Sequence, residues 1–99
     1  MLYRQETKAL KMSRALLKYS QYAEQEFERG NFFDAKYWCQ KAIYAGNCCL
    51  GAMVGDKMGD YTTFYEKIKT KTCQQVELYK KIVNIIKENN LQDDRQMKL

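Results

Sequence analysis

Histidine and proline are both missing from this chain of 99 residues. Without histidine the chain lacks the commonest general base, the commonest metal ligand and the ordinary pH switch, and most enzyme readings fall with it. Without proline, no helix is broken from within. Glycine is scarce, and no Gly-Lys-Ser/Thr ending follows Gly51, Gly55 or Gly59, so there is no loop to cradle phosphates. Apolar runs stop well short of the roughly 18 residues that a membrane span needs. The opening MLYRQETKAL has no apolar stretch of signal-peptide length, which points to a reducing, cytoplasmic setting in which cysteines stay thiols. Cys39, Cys48, Cys49 and Cys73 form no Cys-x-x-Cys pair, so neither a metal nor any other cofactor is expected.

What is present is enough for one small core: 45% of the residues are apolar and 13% aromatic in 11.8 kDa. Every long segment repeats its apolar residues at helical spacing, which predicts an all-α fold, an antiparallel three-helix bundle. The helices are placed at about 4–29, 33–50 and 61–89 of a single domain spanning 1–90, with a polar tail over 91–99. Met12, Ala15, Leu16, Tyr19, Tyr22, Ala23 and Phe27 form the stripe of the first helix. Gly30-Asn31 supplies residue types that tolerate a left-handed backbone and closes a tight hairpin. Ala35, Trp38, Cys39, Ala42, Ala45 and Cys49 make the second stripe, and the glycines from Gly51 to Gly59 mark the loop that follows. In the third helix the stripe is Tyr61, Tyr65, Ile68, Thr72, Val76, Tyr79, Val83 and Ile86, preceded by capping signals at Asp60, Thr62 and Thr63. That helix is expected to pack across the other two. The predicted core comprises Leu16, Tyr19, Ala23, Ala35, Trp38, Ala42, Ile68, Tyr79 and Val83.

Net charge is +5, which favours acidic partners without choosing among them. Arg4, Lys8, Lys11, Arg14 and Lys18 step by three or four along one flank of the first helix. This basic stripe has two readings, a solvated face beside the buried one or a contact with phosphate or acidic peptide. The eight tyrosines lie mostly at core spacings with no RNA-binding motif around them, so they are read as core and rim packing rather than base stacking. Leu78, Ile82 and Ile85 lie away from the centre of the third stripe, leaving that helix apolar on a second side. Phe33, Tyr37, Tyr44 and Cys48 do the same on the second helix. A partner-binding groove is therefore expected with Phe33, Tyr37 and Tyr44 on one wall and Leu78, Ile82 and Ile85 on the other, able to take a helix anchored at i, i+3, i+4 and i+7.

The segment LLKYSQYAEQEFERGNFFDAKYWCQKAI resembles one tetratricopeptide-type hairpin, with small residues at Ala23, Ala35 and Ala42 and the glycine turn at Gly30. One such hairpin followed by a single helix resembles the MIT (microtubule interacting and trafficking) domain over about residues 11–87. The motifs that carry the likeness are GNFFDA and YWCQKAI, with Tyr79, Ile86 and Lys87 in the third helix. The resemblance implies a non-catalytic protein-interaction module of the ESCRT and protein-transport machinery. It implies binding of short amphipathic helices, as in ESCRT-III-like tails, between the second and third helices. Two alternatives stay open. The GNFFDAKYWCQKAI segment also resembles HEPN-type bundles, which without histidine would be RNA binders and not nucleases. A homo-oligomerising bundle would bury the spare apolar side of the third helix in a symmetric dimer.

Overall fold

The computed structural model describes residues 7–54 and 62–92, and they form three helices: α1 (Lys8–Glu28), α2 (Phe32–Val54) and α3 (Thr62–Glu88). The fold is an all-α, antiparallel three-helix bundle. Thr7 caps α1, its hydroxyl accepting the Leu10 amide at 3.2 Å. At the other end Gly30 takes φ +82°. There the Asn31 amide donates to the Glu26 carbonyl at 2.9 Å and the Gly30 amide to Phe27 at 3.1 Å, a complete Schellman closure. The Asn31 side chain donates to the Glu26 carboxylate at 2.7 Å, so the chain reverses within a tied turn. Phe27 and Phe32 pack edge to face across that turn at 5.8 Å. The same closure ends α3, where Asn90 has φ 53° and the Leu91 amide donates to the Ile86 carbonyl at 3.0 Å.

α1 buries Ala9, Ser13, Leu16, Ser20 and Ala23, in alternating steps of four and three. That is the seam of a coiled-coil-like contact. α3 follows the same rhythm with Ile68, Thr72, Gln75 and Ile82. α2 differs because it lies between them. Ala35, Cys39, Ala42, Ala45, Gly46, Cys49 and Met53 are all buried, which is two adjacent seams of small residues on one helix. Small side chains let both neighbours approach closely, which is why the middle helix carries alanine, cysteine and glycine against the larger Leu16 of α1 and Ile68 and Ile82 of α3. Two of the polar seam positions are satisfied locally, whereas the Ser20 hydroxyl and the Gln75 carbonyl oxygen are buried without a hydrogen-bond partner among the described residues. Ser13 donates to the Leu10 carbonyl and Thr72 to the Ile68 carbonyl, each at 2.8 Å.

The core has two parts. Leu16, Ala42, Ala45, Cys49, Met53 and Ile68 fill the half far from the hairpin turn, and Ala23, Ala35, Cys39 and Ile82 fill the half beside it. α3 does not pack across both partners as expected: it lies on α2 and barely meets α1. Its link to α1 is partly polar, with Lys71 Nζ 3.5 Å from the Glu24 carboxylate and the Gln75 amide donating to the same carboxylate at 3.3 Å, beside the apolar cluster that joins Ala23 and Phe27 to Leu78 and Ile82. The stripe of α3 also differs in phase. Gln75 and Ile82 are buried, whereas Val76 and Val83 are half-buried. Trp38, Tyr19 and Tyr79 flank the core instead of filling it. Gly51 continues α2, which runs four residues past the expected end at 50. Thr62 and Thr63 fall in the first turn of α3, while Gly55, Gly59, Asp60, Tyr61 and the tail from 93 lie outside the described residues, as does Arg4.

Candidate interaction surfaces

The expected groove is not assembled. Ile82 is 0% exposed, packed among Ala23, Ala35 and Cys39, and offers no surface to a partner. At about 100° per residue, Phe33, Tyr37 and Tyr44 project roughly opposite the buried stripe of α2, away from both neighbours. Leu78 and Ile85 share the flank of α3 that carries Lys71 and turns toward α1, where Leu78 packs with Phe27 and Ile82. The two supposed walls therefore lie on separate sides of the bundle. Periodicity treats each helix alone and assigns its second apolar side to solvent; in α3 that side belongs instead to a neighbour.

A different groove runs between α2 and α3, on the side away from α1. Its floor holds the half-buried Ile43, Val76, Tyr79 and Val83, and the Gln40 amide donates to the Tyr79 hydroxyl across it at 3.2 Å. Near the hairpin end it deepens into a trough lined by Lys36, Val83, Ile86, Lys87, Asn90 and Leu91. Helical spacing puts Lys69, Lys80 and Lys87 along one rim and Lys36 on the other, while Glu66 and Glu77 lie further round α3. The sequence pointed to this pair of helices as the groove, but not to these floor residues.

A second surface lies across α1 and α2. Trp38 stands at its centre, stacked on Tyr19 at 5.6 Å and met edge-on by Tyr22 at 4.8 Å and Tyr37 at 5.0 Å. Lys41 Nζ lies 5.7 Å from the ring centres of both Tyr19 and Tyr37, a doubled cation–π contact. Tyr37 is 50% and Tyr44 70% exposed, off the buried stripe of α2. A hydrogen bond to Cys48 holds the Tyr44 hydroxyl above its ordinary pKa, helped by the Cys48 charge and slight desolvation. Lys8, Lys11, Arg14 and Lys18 are all exposed, on the side of α1 opposite its buried seam.

The thiols divide by burial. Cys39 and Cys49 are buried, Cys48 is half-buried and Cys73 is exposed. Desolvation, then the negative charge of Glu24, pushes the Cys39 thiol up to about 11, and burial raises Cys49 as well. Both are packing groups, with Cys49 donating to the Ala9 carbonyl at 3.2 Å. Iodoacetamide on the folded protein at pH 8 is expected to label Cys73 first and Cys48 slowly, leaving Cys39 and Cys49 for the unfolded chain; peptide mass mapping reads this. Early labelling of Cys39 would place it outside the core. The linkage has a definite sign. A thiol whose folded pKa is raised keeps its full contribution to stability below about 9 and loses it as pH climbs toward about 11.

Among the described residues, no His, Cys, Asp and Glu side chains group closely enough to hold a metal ion, and no helix is long and apolar enough to cross a membrane. No protein-family model, curated protein or solved structure is significantly similar to this chain.

Proposed function

We propose that this chain is a non-catalytic interaction module that takes an acidic amphipathic helix in the groove between α2 and α3. The observation that carries the reading is the pairing of an apolar floor with a basic rim. Ile43, Val76 and Val83 remain half-buried after the bundle has formed, and Lys36, Lys69, Lys80 and Lys87 border them. A helix laying leucine-like anchors at i, i+3, i+4 and i+7 on that floor brings its flanking carboxylates to the lysines. The MIT-like motifs in α1 and α2 support the same pair of helices as the docking site, and ESCRT-III-like tails are ligands of this chemistry.

A fluorescein-labelled acidic amphipathic helix of about 20 residues serves as the probe, read by fluorescence anisotropy. Lys36→Glu/Lys87→Glu reverses two rim charges at exposed or half-buried sites and is expected to weaken binding at least tenfold with helical content unchanged. Val83→Ala should weaken it by trimming the floor. Unchanged affinity in both variants overturns the reading. So does sedimentation of the free protein as a dimer whose interface covers Val76 and Val83.

A further inference from the structure

We propose that the exposed side of α2 carrying Tyr37, Lys41 and Tyr44 binds single-stranded nucleic acid, the two rings stacking on bases and Lys41 meeting a phosphate, with Lys11 and Lys18 on the outer side of α1 adding long-range attraction. Charge supports this first. No Asp or Glu occurs from Lys8 to Ala23 on α1 or from Ala35 to Val54 on α2, so two antiparallel helices run side by side with cations alone. The carboxylates of this hairpin collect at its turn, in Glu24, Glu26, Glu28 and Asp34. A polyanion is thus attracted to the length of the hairpin and repelled at its turn.

Ring geometry is the second, independent support. Tyr37 and Tyr44 are seven residues apart on one side of α2, about 10 Å along its axis. Tyr37 is braced edge-on by Trp38, so that ring does not have to be ordered by the ligand, and Tyr44 stands 70% exposed one face-repeat further on. Lys41 lies between them in sequence, already held over the Tyr37 ring. Alternating rings and ammonium groups on a carboxylate-free surface match what an unpaired strand presents, namely bases with free faces and a phosphate at each step. An acidic peptide would use the charges but not the rings. A duplex hides its base faces.

The test uses labelled oligo-dT and oligo-U of about 12 nucleotides at low salt, followed by anisotropy and by quenching of Trp38, the sole tryptophan. Saturable binding to the single strands, with duplex DNA and polyglutamate weaker by at least tenfold, is expected. Tyr37→Ala/Tyr44→Ala should cost tenfold or more, in line with what removing base-stacking rings costs elsewhere. Lys11→Gln/Lys18→Gln/Lys41→Gln should flatten the dependence of log affinity on log salt by about 0.7 for each phosphate that is no longer neutralised. If the double tyrosine variant loses helicity, the lysine triple variant decides alone. Absent binding, equal binding of polyglutamate or duplex, or an unchanged salt slope would each overturn the proposal. Lys36→Glu/Lys87→Glu, which acts at the α2–α3 groove, should leave oligonucleotide binding within a few-fold, so the two surfaces are scored separately.

Discussion

Ile82→Asp is expected to abolish the folded state at 25 °C, read as loss of the helical circular dichroism signal. Ile82 is 0% exposed and sits where α3 closes on Ala23 of α1 and on Ala35 and Cys39 of α2. Truncating a buried isoleucine costs about 2–5 kcal/mol, and a carboxylate without a partner in the same place adds several more. Together these match the whole stability of a small domain, about 5–15 kcal/mol. Burial penalises the charged form, so any residual structure should be greater near pH 4, where the new carboxyl can take a proton, than at pH 7. Ile85→Asp is the control. Ile85 lies half-buried on a flank of α3 and its carboxylate could turn to water, so that variant should stay helical with a lower melting temperature. A folded Ile82→Asp protein with a melting point within a few degrees of the parent would put Ile82 on the surface.

Gly46→Ala should destabilise the bundle although alanine is the better helix former by roughly 1 kcal/mol. A Cβ placed on Gly46 would meet the Thr72 Cβ and Cγ2 at 3.0 Å and collide with its Oγ1. Thr72 cannot easily withdraw, because it is buried and its hydroxyl donates to the Ile68 carbonyl. Overpacking of this kind costs about 1–3 kcal/mol, and larger residues at 46 should separate α2 from α3 altogether. Thr72→Ala in the same chain removes Oγ1 and Cγ2 but leaves Cβ at 3.0 Å, so rescue should be partial. Urea melts of the parent, both single variants and the double variant measure the coupling directly. Additive losses would show that Gly46 and Thr72 do not touch. By contrast, Gly51, with open space around it, should accept alanine without loss.

Several parts of the molecule were legible from residues alone because they depend on neighbours in sequence. The hairpin turn is one. Gly30 and Asn31 carry the conformational preferences that the closure of α1 requires, and no distant contact is needed to select them. The small-residue face of α2 is another, since Ala35, Cys39, Ala42, Ala45 and Cys49 recur at helical spacing and mark the helix that must be approached closely. The basic stripe Lys8, Lys11, Arg14 and Lys18 was equally plain, and it is exposed as spacing predicts. Leu91 carried no such signal, because a single residue just past a helix end has no periodicity to place it.

Local residue patterns thus specify three helices, the junction of the first two and the buried side of α2. The phase of α3 and the identity of the exposed faces come instead from packing. Two phases were available to α3, one through Val76 and Val83 and one through Gln75 and Ile82, and hydropathy favours the first because it avoids a buried glutamine. The structure takes the second. α3 enters a seam of α2 in which Gly46 receives Thr72, and the same rotation brings Gln75 and Ile82 inward while Tyr79 stays half-buried at the edge. Gln75 is accommodated because Glu24 of α1 accepts its amide at 3.3 Å, a partner 51 residues away in sequence. Periodicity fixes angles within one helix; the rotation of that helix about its own axis is fixed by the shape of the surface it meets.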